Sequence, residues 1–267
     1  MEILNFLQYS FIQKAFFAGS FVAIICSALG LFLVLRKMSL IGDGLSHVSF
    51  GAIALGLFFG FYPYYIAIPL VMLASIVILK ISEKAKIYGD AAIGVVSAIG
   101  IAGGVILASL SKGFNVDLFS YLFGNILAIN NTELVLSVIL SLIVLATIYF
   151  FYWDLFSATF DEQYAKTTGI KINFINTLLT LLTSLCVVLS IKMVGIMLVS
   201  ALLILPSVTA LQIAKGFKAT MFIGAIVSVI SVFLGITLSF FLDLPTGATI
   251  VMINVLFFGL ALAVKKL

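Results

Sequence analysis

The chain has 267 residues, of which 64% are apolar and only 9% carry a formal charge. A soluble domain carries about 25% charged residues, so soluble globular, disordered, coiled-coil and disulfide-scaffold classes are excluded and a polytopic membrane protein remains. The net charge of +4 does not point to nucleic acid, because no basic run exceeds Lys265–Lys266; in a membrane protein a basic excess marks cytoplasmic loops.

Residues 1–14 are predicted to form an interfacial helix. Ile3, Leu4, Leu7 and Phe11 recur at helical spacing, and Asn5, Gln8 and Gln13 lie largely off that stripe. No basic cluster opens the chain, so it does not read as a cleaved signal peptide. A spanning helix needs about 20 apolar residues. Nine segments qualify: 15–35, 39–61, 63–82, 91–110, 134–152, 172–191, 196–213, 219–242 and 246–264. The fold class is therefore all-α, a polytopic integral membrane helical bundle forming a single domain over 1–267, bound by membrane lipid. Within 172–213 the only turn material is Lys192–Gly195; eight spans plus a re-entrant segment is the alternative there.

Small residues recur within the spans. Gly56 and Gly60 form a GxxxG, as do Gly100 and Gly104, and Ser97, Gly100, Gly104 and Ala108 share one face. Such faces let helices approach closely. Cys26 and Cys186 lie in apolar stretches and read as small buried residues with no disulfide framework. Pro206 interrupts the seventh span, where neighbours must satisfy the freed carbonyl.

Orientation follows from Lys and Arg placement. With the 153–171 loop in the cytoplasm, the inside holds Arg36, Lys37, Lys80, Lys84, Lys86, Lys166, Lys171, Lys215, Lys218, Lys265 and Lys266, while the outside keeps Lys14, Lys112 and Lys192. The N-terminus is then outside and the C-terminus cytoplasmic. One crossing fewer over 172–213 would abolish that bias.

Chemistry is confined to few residues. A P-loop needs GxxxxGK[ST], and the chain contains no Gly-Lys dipeptide, so any ATPase driving it is another chain. A membrane enzyme is disfavoured, since there is no HExxH and no GxSxG. Ionisable groups inside a membrane are costly and mark function. One stretch stands out: RKMSLIGDGLSHVSFG, residues 36–51. Asp43 and His47, the only histidine, are four residues apart and share a helix face. A carboxylate oxygen beside an imidazole nitrogen suits Zn²⁺ or Mn²⁺, and two ligands suit transient passage. The same pair also fits a buried hydrogen-bonded pair, a cap on amides near Gly42 and Gly44, or a proton relay in a secondary cation carrier. Asp117 and Asp243 fall in predicted outer loops as solvated carboxylates, with Asp243 opening a DLPTG turn that could face an extracellular entry. The 153–171 loop mixes Phe156, Phe160 and Tyr164 with Asp161, Glu162 and Lys166. It reads as an interfacial helix against headgroups or as a short helix docking into a cytoplasmic partner.

At these residues the chain resembles the membrane permeases of bacterial zinc and manganese ABC importers. Residues 36–51 are similar to that family's signature of a basic pair, Met-Ser, Gly-Asp-small and Ser-His. DLFSYLFGNIL (117–127), FDEQYAKTTGI (160–170), VGIMLVSALLILPSVTA (194–210) and DLPTGATI (243–250) follow in the family's order. The resemblance implies a compact type II importer fold in the bacterial cytoplasmic membrane and a homodimer. It also implies two ABC ATPase subunits below and an extracellular metal-binding protein or lipoprotein above. It places Asp43 and His47 on the metal path. Asp161–Gly169 would sit in a groove of the ATPase, with Phe160, Asp161, Glu162, Tyr164, Ala165 and Gly169 as coupling residues. No permanently bound cofactor is implied; the metal is cargo and ATP belongs to the partner. Manganese-type members usually carry Leu-Pro-Gly after the histidine. Here His47-Val48-Ser49-Phe50-Gly51 has no proline, and with IYGDAAIG (87–94) it looks like the zinc-type members.

Overall fold

A computed structural model of the protein describes residues 8–85, 89–111 and 116–265. In chain order the helices are α1 (Ser10–Leu35), α2 (Ile41–Phe58), α3 (Pro63–Ala85), α4 (Gly89–Leu110), α5 (Val116–Phe123), α6 (Asn131–Phe150), α7 (Tyr152–Phe160), α8 (Glu162–Thr167), α9 (Ile172–Val194), α10 (Val199–Ile213), α11 (Phe217–Leu242) and α12 (Thr246–Lys265). Single 3-10 turns at Ile126–Ala128 and Ile196–Leu198 precede α6 and α10. Among the described residues there is no strand, and nine helical stretches are long and apolar enough to cross a membrane. They fall where hydropathy puts them. The first starts earlier than predicted: Ser10 to Leu35 is one continuous helix. Residues 1–7 of the expected interfacial helix lie outside the described residues.

The bundle has an inside and an outside of its own. The central windows of α1, α2 and α9 are 72%, 67% and 67% buried, against 22% for α3 and α4. The first three form the core; the others expose Leu, Ile, Val and Phe where a bilayer would lie. α2 packs most extensively on α4, and glycines allow it. A Cβ at Gly51 would sit 2.5 Å from the Gly100 carbonyl oxygen, and one at Gly100 would sit 2.6 Å from Val48 Cα. The predicted small face of α4 is therefore a backbone-to-backbone contact. The GxxxG of 56–60 differs: Gly56 packs on Pro63, whereas Gly60 has φ +72 and no neighbour within 4 Å. It is a turn glycine.

Core polar groups cross-link helices. Cys26 and Cys186, 160 residues apart, bring their Sγ atoms to 3.2 Å between α1 and α9, and Cys26 also meets Ser190 Oγ at 3.0 Å. Ser207 Oγ, one residue after Pro206, donates to the Ser27 carbonyl at 2.9 Å. Asn254 on α12 accepts from Ser231 on α11 at 3.0 Å.

Contacts at the two ends give the alternation of the spans. At one end Arg36 touches α7, α8 and α9, Phe217 packs tilted or edge-on among Phe32, Tyr152, Phe156 and Phe160, and Lys265 reaches Gln212. Lys37, Lys166, Lys171, Lys215 and Lys218 belong to the connections and helix starts at this lysine-rich end. At the opposite end Tyr9 packs on Phe240, and Asn125 N–H donates to the Lys192 carbonyl at 2.9 Å.

The turn between α9 and α10 departs from expectation. The chain does reverse at Gly195, but Val194, Gly195 and Ile196 are buried. Gly195 has φ +82 and Gly124 has φ +75, and their backbones cross so closely that a Cβ on either would lie 2.5 Å from the other's nitrogen. The predicted loop is thus a sunken junction roofed by 124–125.

Candidate functional site: a carboxylate and an imidazole on one open helix face

The α1–α2 turn aims the site. Lys37 takes φ 57, and Met38 N–H returns to the Leu33 carbonyl at 2.8 Å. α2 starts at Ile41, with Asp43 in its first turn, where a carboxylate is favoured by the helix dipole. Gly42 and Gly44 flank it because there is no space for a side chain. A Cβ at Gly42 would meet Leu203 at 2.7 Å, and one at Gly44 would meet Ile93 at 2.3 Å. Their role is packing, wedging the first turn of α2 between α10 and α4.

His47 follows one turn later, and its Nε2 lies 3.6 Å from Asp43 Oδ2. That separation is too long for a hydrogen bond. It fits two ligands of one ion: donors about 2.1 Å from a tetrahedral centre are about 3.4 Å apart. The side chains are 27% and 51% exposed, and Phe58 at the end of the same helix and Leu40 just before its start are exposed as well. Among the described residues no group of three or more His, Cys, Asp or Glu side chains could hold a metal. One chain therefore offers two donors on an uncovered face.

The predicted coupling segment is two short helices. Asp161 caps α8, its Oδ1 accepting from Gln163 N–H and Tyr164 N–H at 2.9 Å each. Phe160 and Tyr164 are exposed, and Gly169 ends the helix at φ +88. Ala165 is fully buried and seats α8 on the bundle. Glu162 Oε1 pairs with Arg36 Nη2 at 2.9 Å.

The opposite end has an open cavity of about 650 Å³ lined by Phe11, Asn125, Ser239, Asp243 and Thr246, among others. Asp243 caps α11 in the left-handed conformation and is exposed. Asp117 falls on α5, and its side chain lies outside the described part of the structure.

The sequence reading missed an ion pair, leaving Glu133 unnamed and Lys192 as an outer turn residue. Glu133 Oε1 pairs with Lys192 Nζ at 3.3 Å, and their side chains are 4% and 14% exposed. Glu133 Oε2 also accepts from Asn130 N–H while Asn130 accepts from Glu133 N–H, closing a capping box at α6. Lys192 lies 5.0 Å over the Tyr121 ring. Burial and the Glu133 charge push the neighbouring Tyr62 hydroxyl up to about 12. The Asn-x-x-Glu spacing at 130–133 and the single lysine inside an apolar run were the available signals.

The ABC 3 transport family model matches residues 8–265. The manganese transport system membrane protein MntC of Halalkalibacterium halodurans is 36% identical, over 96% of this chain and 87% of its own length. The high-affinity zinc uptake system membrane protein ZnuB of Haemophilus influenzae is 33% identical, over 96% and 98%. The solved structure of PsaBC from Streptococcus pneumoniae in complex with Fab superposes with a TM-score of 0.88 at 33% identity, covering 97% of this chain and 94% of that one. On this match the chain belongs to the ABC 3 transport family.

Proposed function

We propose that the chain is the permease subunit of an ATP-driven importer of a divalent transition metal, zinc in the first reading. The observation that carries it is the Asp43–His47 pair, 3.6 Å apart on the open face of α2. Two copies meeting through that face bring four donors to one ion, a complete tetrahedral set. The lysine-rich end lies in the cytoplasm, which puts the N-terminus outside and the C-terminus inside. Two ATPase subunits, which hold the ATP, take Phe160, Tyr164 and the exposed side of α8. An extracellular metal-binding protein docks at the outer end, where Asp243 and the α5 region with Asp117 lie. The metal is cargo, held briefly enough to leave.

Zinc is supported by the His47-Val48-Ser49-Phe50-Gly51 run without proline and by a donor spacing near the tetrahedral value. Manganese is the second reading, favoured by the relatives named for manganese transport. Uptake of each ion by the assembled complex in proteoliposomes separates them. We expect ATP-dependent uptake in which zinc outcompetes manganese, lost in His47→Ala with assembly intact. Uptake driven by a proton gradient without ATP, or normal uptake by His47→Ala, would sink the assignment.

A further inference from the structure

Arg36 is the C-cap residue of α1, one position before the left-handed Lys37 and seven before Asp43. Its Nη2 alone reaches three acceptors on three elements: the Ala158 carbonyl near the end of α7 at 3.2 Å, Glu162 Oε1 on α8 at 2.9 Å and Asn176 Oδ1 on α9 at 2.7 Å. The Arg36 side chain is 6% exposed, whereas that of Glu162 is 50% exposed. Burial draws the guanidinium below its ordinary range and Glu162 draws it back up. A guanidinium remains charged throughout the physiological range.

Stoichiometry gives this arrangement its interest. A guanidinium Nη carries two N–H groups, so three acceptors compete for two donors and one is always shared. Glu162 sits on a short exposed helix, while Asn176 sits in the first turns of core helix α9. Displacing α8 withdraws Glu162 and leaves Arg36 held only by Asn176 and the end of α7. Such discrete loss of a partner is how small shifts become switches. The turn that would feel it leads directly into the helix carrying Asp43 and His47.

We propose that Arg36 is a positioning residue that transmits displacement of α8 to the donor pair on α2 by releasing Glu162 while Asn176 and the end of α7 keep hold of it. This rests on the reading of α8 as the ATPase contact. The test measures ATP hydrolysis and metal uptake on the same proteoliposomes of the assembled complex. Arg36→Lys keeps the charge but loses the fork, and should lower uptake per ATP roughly tenfold while hydrolysis stays within about twofold. Glu162→Gln, half exposed and compatible with folding, should lower the ratio roughly threefold. Asn176→Ala should lower it as well. An unchanged ratio in Glu162→Gln and Arg36→Lys, or a fall of hydrolysis and uptake in proportion, overturns the proposal. A wild-type complex that hydrolyses ATP but moves no metal overturns the functional reading itself, and this inference with it.

Discussion

Among the described residues one ion pair links helices at each end of the bundle, and the two ties are built differently. At the end away from the lysine-rich one, Glu133 is buried and Lys192 largely so, and Glu133 is at once the counter-ion of a lysine on α9 and the capping-box residue of α6. Beside them the backbones of Gly124 and Gly195 cross with no space for a side chain. At the lysine-rich end, Arg36 is buried but Glu162 is half in solvent, and three acceptors share one nitrogen. A buried pair with a second structural duty resists exchange; a half-exposed pair with spare acceptors permits it. The first tie fastens the α5–α6 connection over the core, and the second holds α8 through a carboxylate half in solvent.

The contrast breaks most completely at Gly195. Gly195→Ala places a Cβ 2.4 Å from the Leu122 carbonyl oxygen in a region at φ +82 that L side chains rarely adopt. That strain costs about 1–3 kcal/mol before the clash is added, and loss of folded complex in size-exclusion chromatography is expected. Next comes Lys192→Ala, which strands a carboxylate that is 4% exposed. Removing one partner of a buried pair costs about 3–5 kcal/mol. The thermal midpoint of the purified complex should fall sharply, and Glu133→Gln combined with Lys192→Met should recover much of it. Glu162→Gln is milder at about 1 kcal/mol, since its carboxylate is half in solvent and Arg36 keeps two other acceptors. Its effect should shrink further at high salt, whereas that of Lys192→Ala should not. The smallest effect is at Tyr62, whose folded-state pKa of about 12 lies above its ordinary 10.0. The folded protein therefore holds more protons than the unfolded chain between those values, so this contribution to stability is lost as pH rises through that window. Tyr62→Phe should leave stability unchanged at pH 7 and flatten its alkaline decline.

Much of the fold was legible because hydropathy is a local property. Nine apolar stretches of spanning length announce themselves, and the lysine asymmetry fits the ends at which contacts place those residues. That Asp43 and His47 share a helix face was legible for a similar reason: one histidine and one carboxylate at helical spacing need no knowledge of other helices. The pairing of Lys192 was not, because its partner is 59 residues away and a lysine three residues before a glycine reads as loop. The meeting of Cys26 and Cys186 was equally hidden, since each is merely a small residue in its own helix. Gly60 misled because the GxxxG spacing ignores Pro63, which begins the next helix and makes Gly60 part of a turn. The role of Arg36 was visible only as charge; its three acceptors come from three later segments.

The two-donor face of α2 has a genetic consequence. Under the two-copy arrangement each ion depends on both chains, so a His47 variant damages its wild-type partner as well as itself. In a cell making equal amounts of both chains, random pairing leaves about a quarter of the complexes with a full donor set. An allele altered only at His47 would then act dominantly, whereas an allele that fails to fold, such as Gly195→Ala, would be recessive.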